Sequence, residues 1–178
     1  MPVVQEIISA ERIARRVEEL ADEIAHSPEG REGGPVLVLA VLKGAFMFAG
    51  DLVRALDRAG LAPQIDFLTL SSYGDGTVSS GTIRVASTPR APLEGRHVLL
   101  VDDILDSGRS LAYARDFVAS AGAASVRTCV LLDKPSRRVV DVAADHVGFE
   151  IEDRFVVGYG VDFAEQFRHL PFIGVVED

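Results

Sequence analysis

VLLVDDILDSGRSL, Val98 to Leu111, decides how this chain folds. An unbroken apolar run reaches Asp102 and Asp103, Asp106 follows, and small polar residues then lead into a helical pattern. An apolar run without alternation reads as a strand buried on both faces, which implies a parallel sheet covered by helices. In open α/β sheets ligands gather beyond the carboxyl ends of the strands, and Asp102 and Asp103 stand at such an end. Like charges this close repel, so a cation or a reacting group is expected beside them. Asp106-Ser107-Gly108-Arg109-Ser110 forms the turn into the helix, where several amides lack partners at the positive end of the dipole. Gly108 lets the backbone approach closely, and the Ser107 and Ser110 hydroxyls add donors, so the turn makes a compact phosphate cradle. The carboxylates suit a hard cation such as Mg²⁺, which prefers oxygen ligands and keeps some waters. A phosphorylated sugar bearing a diphosphate would span both halves. A plain helix cap accounts for one or two aspartates here, but three around a glycine turn exceed what a cap needs. Neither common glycine-rich nucleotide fingerprint is present.

Working outward, Ile13, Val17, Leu20 and Ile24 recur at helical spacing, with Ser9 as N-cap. HSPEGREGGP reads as a loop. Val36 to Leu42 is a second buried strand, broken by Lys43-Gly44, and Phe46 to Arg58 suits a helix ended by Gly60. Gln64 to Leu70 reads as a strand. Ser71 to Gly81 has no apolar period and reads as a long mobile active-site loop, the kind of segment that often serves as a lid. Thr82 to Ser87 alternates as a strand. Leu111 to Ala121 is helical and stops at Gly122. Further strands follow at Ser125 to Leu132, Val147 to Glu150 and Phe155 to Gly158. Strands alternating with helices, without repeats or linkers, give one α/β domain over residues 1–178 with a mostly parallel central sheet flanked by helices.

The composition agrees. Of 178 residues, 48% are hydrophobic and 25% charged, enough for one substantial core. A net charge of -9 argues against nucleic acid as a partner, because backbone binding needs a cationic surface. An anionic small ligand would need a metal or a few well-placed basic groups. The lone Cys129 sits in an apolar stretch and reads as a core thiol. Charges interrupt the N-terminus too early for a signal peptide. The longest apolar run, Val36 to Leu42, is too short to span a bilayer, so no membrane association is expected and a cytoplasmic location fits.

VLLVDDILDSGRSL also resembles the phosphoribosyl-diphosphate signature of the type I phosphoribosyltransferases. LKGAFMFAGDL (Leu42 to Leu52), SSYGDGTVSSGTIRV (Ser71 to Val85), LLDKPSRR (Leu131 to Arg138) and FVVGYGVDFAEQFRHLPFIGVV (Phe155 to Val176) narrow the resemblance to the hypoxanthine (hypoxanthine-guanine) phosphoribosyltransferases. It covers nearly the whole chain in the family's order. It implies the type I fold, with a small hood from the terminal segments and a flexible lid over 71–81. It implies transfer of the phosphoribosyl group from phosphoribosyl diphosphate to hypoxanthine, with guanine as a second base, releasing pyrophosphate.

The resemblance also implies roles. Asp106 would be the catalytic group that handles the purine N7 proton. Asp102 and Asp103 would hold the ribose hydroxyl side and its Mg²⁺, although the family often has Glu at the first position. Asp106 to Ser110 would bind the 5′-phosphate, with Ser107 and Ser110 where Thr is common. Lys43 and Gly44 would meet the pyrophosphate, across a peptide bond expected to be cis. Arg168, Ser72 and Tyr73 would meet it too. Lys134 would bond the purine oxygen at carbon 6, Phe155 would stack on the ring, and Val156 and Asp162 would offer backbone contacts. Asp162 would also help ligate a second Mg²⁺. Arg137 and Arg138 would support the Lys134 segment without direct contact to substrate. A homodimer or homotetramer is implied as well.

Two other readings fit less, and a third stays close. A signalling receiver domain also carries an acidic pair after an apolar strand, but near its start and with a phosphoacceptor that is missing here. A nucleic-acid-binding regulator on the same fold needs a basic face. A xanthine- or guanine-preferring enzyme differs only in contacts the sequence does not reveal.

Overall fold

The computed structural model describes residues 3–31, 36–73 and 82–177. In chain order the elements are β1 (Val3–Ile8), α1 (Ala10–Ala25), α2 (Pro28–Arg31), β2 (Leu37–Leu42), α3 (Phe46–Arg58), β3 (Gln64–Tyr73) and β4 (Thr82–Ser87). They continue with β5 (His97–Leu105), α4 (Arg109–Ser120), β6 (Ser125–Asp133), a 3₁₀ turn (Pro135–Arg137), β7 (His146–Glu150), β8 (Val156–Val157) and β9 (Ile173–Glu177).

A six-stranded sheet runs in the order β4-β3-β2-β5-β6-β7, parallel throughout except for β4, which lies antiparallel to β3 at the edge. Alternation along β2 sends Val38 and Ala40 into one core and Leu37, Leu39 and Val41 into the other. The first core lies under α1 and α3 and receives Ile13, Val17, Leu20, Phe48 and Leu52. The second lies under α4 and receives Leu111, Ala114 and Val118. Each such aliphatic side chain contributes roughly 1.5–3 kcal/mol by leaving water. Double-sided burial is why β2 and β5 carry no polar alternation. Cys129 lies wholly within the first core, where burial pushes its thiol up, in line with an inert structural role.

Ser9 caps α1 as its sequence suggests, accepting the Arg12 amide at 3.2 Å. Both termini build the hood: β1, β9 and β8 form a three-stranded antiparallel sheet. β1 and β9 are not separable from their surroundings by sequence pattern, because each pairs mainly with the other across nearly the whole chain. The expected 26–35 loop contains the short helix α2. Of the expected loop at 71–81, Ser71, Ser72 and Tyr73 instead extend β3, pairing with Arg84, Ile83 and Thr82. An antiparallel partner satisfies these backbones without any apolar period. Residues 74–81 lie outside the described residues. Among the described residues, no helix is long and apolar enough to cross a membrane.

Candidate active site

Parallel strands align their carboxyl ends, so the ends of β2, β5 and β6 deliver Lys43-Gly44, Asp102 to Asp106 and Lys134 to one edge of the sheet. β5 runs on through the acidic pair to Leu105, so both carboxylates are carried by strand rather than loop. Asp102 is 8% exposed, and its Oδ1 accepts the Asp103 amide at 2.9 Å. Burial, followed by the charge of Asp103 and a hydrogen bond with it, pushes the Asp102 carboxyl well above the ordinary carboxylate range. Asp103 Oδ1 accepts the Ile104 amide at 2.8 Å.

Gly44 lies directly on Asp103: a Cβ there would sit 1.9 Å from Asp103 Oδ2. Gly160 in turn lies on Gly44, where a Cβ would meet the Gly44 carbonyl oxygen at 2.4 Å. The Lys43 loop is therefore packed against the Asp103 carboxylate on one side and the backbone of the 158–168 segment on the other. The cis peptide is Leu42–Lys43, one bond earlier than expected at Lys43–Gly44. β2 holds its register with β3 through Leu42, and the chain leaves the sheet at the next bond.

The 106–110 turn has the cradle form read from its sequence. Gly108 is the N-cap of α4 at φ 89, a left-handed conformation that favours glycine, and it has no capping side chain. A Cβ there would also strike Val142 Cγ1 at 2.5 Å. Ser107 Oγ accepts the Arg109 amide at 3.4 Å, and Arg109 and Ser110 are exposed at the helix start. Arg138 braces the turn from below: its Nη1 donates to the carbonyls of Asp106 at 2.7 Å and Leu105 at 3.3 Å, and its Nη2 pairs with Asp133. The Ser107 carbonyl accepts the amides of Val139 and Val140 at 2.9 and 3.1 Å. Arg137 Nε pairs with Asp106 Oδ1 at 3.1 Å. Sequence reading gave Arg137 and Arg138 a supporting place near Lys134; their grip on the Asp106 turn needs the 3₁₀ turn to fold them back across β5.

Lys134 is 7% exposed, and its amide donates to the Leu105 carbonyl at 2.9 Å. Its ammonium has no acceptor among the described residues. The side chain is nearly covered but its ammonium is not sealed from solvent, so a ligand oxygen at the strand ends can reach it. Phe155 is exposed and meets Phe163 edge to face at 5.3 Å, while Val156 is buried in β8. Phe163 carried no signal in the sequence beyond its place near Asp162.

Arg168 Nη1 donates to the Gly160 carbonyl at 2.7 Å, and Nη2 pairs with Asp162 Oδ1 at 3.0 Å. Lys43 Nζ and Arg168 Nη2 both reach Glu165, at 2.7 and 3.4 Å. The segment is steadied by a hydrogen bond from the Tyr159 hydroxyl to Asp51 on α3. Asp51, Tyr159 and Glu165 were not singled out in the sequence, since their meeting depends on the left-handed turns at Tyr159, Ala164, Glu165 and Phe167. Ser72 is exposed on β3.

Among the described residues, no three acidic, histidine or cysteine side chains form a ready metal cage. Asp102 and Asp103 nonetheless fit Mg²⁺: they offer oxygen alone, and their mutual repulsion is what a cation relieves. Mg²⁺ usually takes one or two carboxylates and completes its shell with waters and substrate phosphates. Asp162 is engaged with Arg168 and with the Glu165 amide, at 2.8 Å.

The α/β sheet thus brings an acidic strand end, a capless glycine turn and a nearly covered lysine to one edge, an arrangement suited to a phosphorylated ligand. The chain matches the phosphoribosyl transferase domain over residues 3–164. It is 47% identical over 172 residues to the hypoxanthine-guanine phosphoribosyltransferase of Aquifex aeolicus, covering 97% of this chain and 94% of that one. Its identity to the Bacillus subtilis protein of the same name is 43% over 171 residues, covering 96% and 92%. Among solved structures, the hypoxanthine phosphoribosyl transferase of Trypanosoma cruzi superimposes with a TM-score of 0.91 at 38% identity, covering 97% of this chain and 91% of that one. The chain thus belongs to the phosphoribosyltransferase family, among its hypoxanthine-guanine phosphoribosyltransferases.

Proposed function

We propose that this protein is a purine-salvage enzyme that transfers the 5-phosphoribosyl group of phosphoribosyl diphosphate to hypoxanthine, and to guanine, releasing pyrophosphate. The observation that carries this reading is the nearly covered Lys134, whose ammonium has no acceptor among the described residues, on the same sheet edge as the Asp102–Asp103 pair and the 106–110 turn. A purine oxygen at carbon 6 supplies the acceptor that Lys134 lacks. Phe155 stacks on the ring, and backbone groups near Val156 and Asp162 read its edge.

The 5′-phosphate enters the turn formed by Asp106, Ser107, Gly108, Arg109 and Ser110. First-turn amides of α4 and the two hydroxyls donate to it. Asp102 and Asp103 face the ribose hydroxyls and would hold Mg²⁺, with Asp162 serving a second ion. Bound there with substrate, Mg²⁺ supplies positive charge to the diphosphate. Lys43, Gly44 and Arg168 receive the pyrophosphate, with Ser72 and Tyr73 beside it. As the bond at ribose carbon 1 breaks, positive charge grows on the ring and the nearby carboxylates favour it. The purine nitrogen forms the new bond from the opposite face. Asp106 takes the N7 proton, which requires it to exchange Arg137 for the base. The lid expected after Tyr73 would close over the centre and exclude water, which would otherwise hydrolyse the activated sugar.

The same reading takes in a single domain over 1–178, a cytoplasmic location and a homodimer or homotetramer. Exposed Phe46 on α3 and exposed Ile65 and Phe67 on β3 are consistent with a further covered surface. Purified protein with phosphoribosyl diphosphate and Mg²⁺, offered hypoxanthine, guanine, xanthine and adenine separately, tests the activity. Nucleotide from hypoxanthine that disappears with chelator is the expected result. No nucleotide from any base overturns the proposal. Light scattering tests the assembly.

A further inference from the structure

Two cations stand where the pyrophosphate is proposed to bind, and both reach one side chain, Arg168 while also held by Asp162 Oδ1 at 3.0 Å and the Gly160 carbonyl at 2.7 Å. Lys43 Nζ lies 2.7 Å from Glu165 Oε2, and Arg168 Nη2 lies 3.4 Å from Glu165 Oε1. The two oxygens of one carboxylate therefore bridge the two cations, much as two oxygens of a phosphate would. Lys43 comes from the end of β2 and Arg168 from the far side of the hood, 125 positions away in the chain, yet Glu165 joins them.

The turn that presents Glu165 is built for this. Ala164 and Glu165 hold φ of 50 and 65, a region that residues with side chains rarely adopt. Asp162 Oδ2 accepts the Glu165 amide at 2.8 Å, and Phe163 and Gln166 exchange backbone hydrogen bonds at 2.9 and 3.1 Å. Glu165 contributes nothing to the core. Its side chain and that of Lys43 are each 64% exposed, so the contact is open to exchange with a solution ligand.

We infer that the Glu165 carboxylate is an internal stand-in for pyrophosphate, holding Lys43 and Arg168 until the diphosphate displaces it and returning as the product departs. This rests on the proposed pyrophosphate subsite. A diphosphate carries more charge and more acceptor oxygens than one carboxylate, so it wins the competition, while the carboxylate lowers its net affinity. Exposed ion pairs are weak, which keeps the effect small and the exchange fast.

The sign of one measurement separates this role from a supporting one. Mg²⁺-pyrophosphate is titrated into the parent protein, Glu165→Gln and Arg168→Ala by calorimetry at low salt. The stand-in role predicts that Glu165→Gln binds about two- to fivefold more tightly than the parent, with the gain shrinking as salt is raised. Product inhibition by pyrophosphate strengthens in parallel. Unchanged or weaker binding in Glu165→Gln overturns the inference, and weaker binding makes Glu165 a support for Lys43 instead. If the parent does not bind pyrophosphate, or Arg168→Ala binds it as well as the parent, the subsite itself is wrong and the inference falls with it.

Discussion

Replacing Gly44 by alanine tests how the pyrophosphate loop and the acidic strand depend on each other. The added methyl would sit 1.9 Å from Asp103 Oδ2 and 2.5 Å from its Cγ. Ordinary contact begins near 3.4 Å, so one group must move by about 1.5 Å. Gly44 does not occupy the left-handed region, so the overlap alone carries the effect. Asp103 has a short side chain whose other oxygen holds the Ile104 amide at 2.8 Å, and Gly160 presses on the Gly44 carbonyl from the other side. Neither side can yield without disturbing a group proposed to meet phosphoribosyl diphosphate. A misplacement of about 1 Å in an active site costs on the order of 100-fold in rate, or ~2.7 kcal/mol. The expected outcome is therefore a fall of about that size in kcat/KM for phosphoribosyl diphosphate. KM for hypoxanthine should change little, since Lys134 and Phe155 lie on other elements. Overpacking adds roughly 1–3 kcal/mol of destabilisation, and a domain of this size loses about 2–4 °C of Tm per kcal/mol. Steady-state kinetics with each substrate varied, together with thermal melts, measures both. Kinetics within threefold of the parent with an unchanged Tm would refute the close packing of Gly44 on Asp103.

Asp106→Asn should cut turnover by roughly 10²–10⁴-fold while binding of phosphoribosyl diphosphate persists; unchanged turnover removes Asp106 from proton transfer. Asp102→Asn should raise the Tm of the ligand-free protein at neutral pH while lowering activity. The Asp102 carboxyl is raised in the folded state, so folded protein holds a proton that unfolded chain has released, and its ionisation counts against folding as pH rises. The Tm gain should shrink as pH falls toward the ordinary carboxylate value, where both states are protonated; a gain independent of pH would contradict this cause. Tyr159→Phe removes only the hydroxyl that reaches Asp51. It should raise KM for phosphoribosyl diphosphate several-fold with little change for hypoxanthine, and equal change in both would point to a general loss of packing instead.

The sequence by itself determined the central sheet and the acidic edge. Val36 to Leu42 and Val98 to Val101 are apolar without alternation, and only a strand covered on both faces accepts that pattern. The helical period from Phe46 to Arg58 and the glycine stop after it mark the bounds of α3, because both are local signals. Asp102, Asp103 and the glycine turn were legible for the same reason: strand end, turn and helix start are contiguous. Tertiary structure alone decided the rest. β1 and β9 pair residues such as Val4 and Val176, and nothing local announces a partner so distant. Ser71 to Tyr73 look like loop by composition yet extend β3, because β4 returns beside them and fills their backbone hydrogen bonds. The grip of Arg137 and Arg138 on the Asp106 turn, and the meeting of Lys43, Glu165 and Arg168, depend on turns that bring far segments within hydrogen-bond distance. Periodicity records which face of an element is buried; it holds no record of which charged groups the folded chain sets against one another.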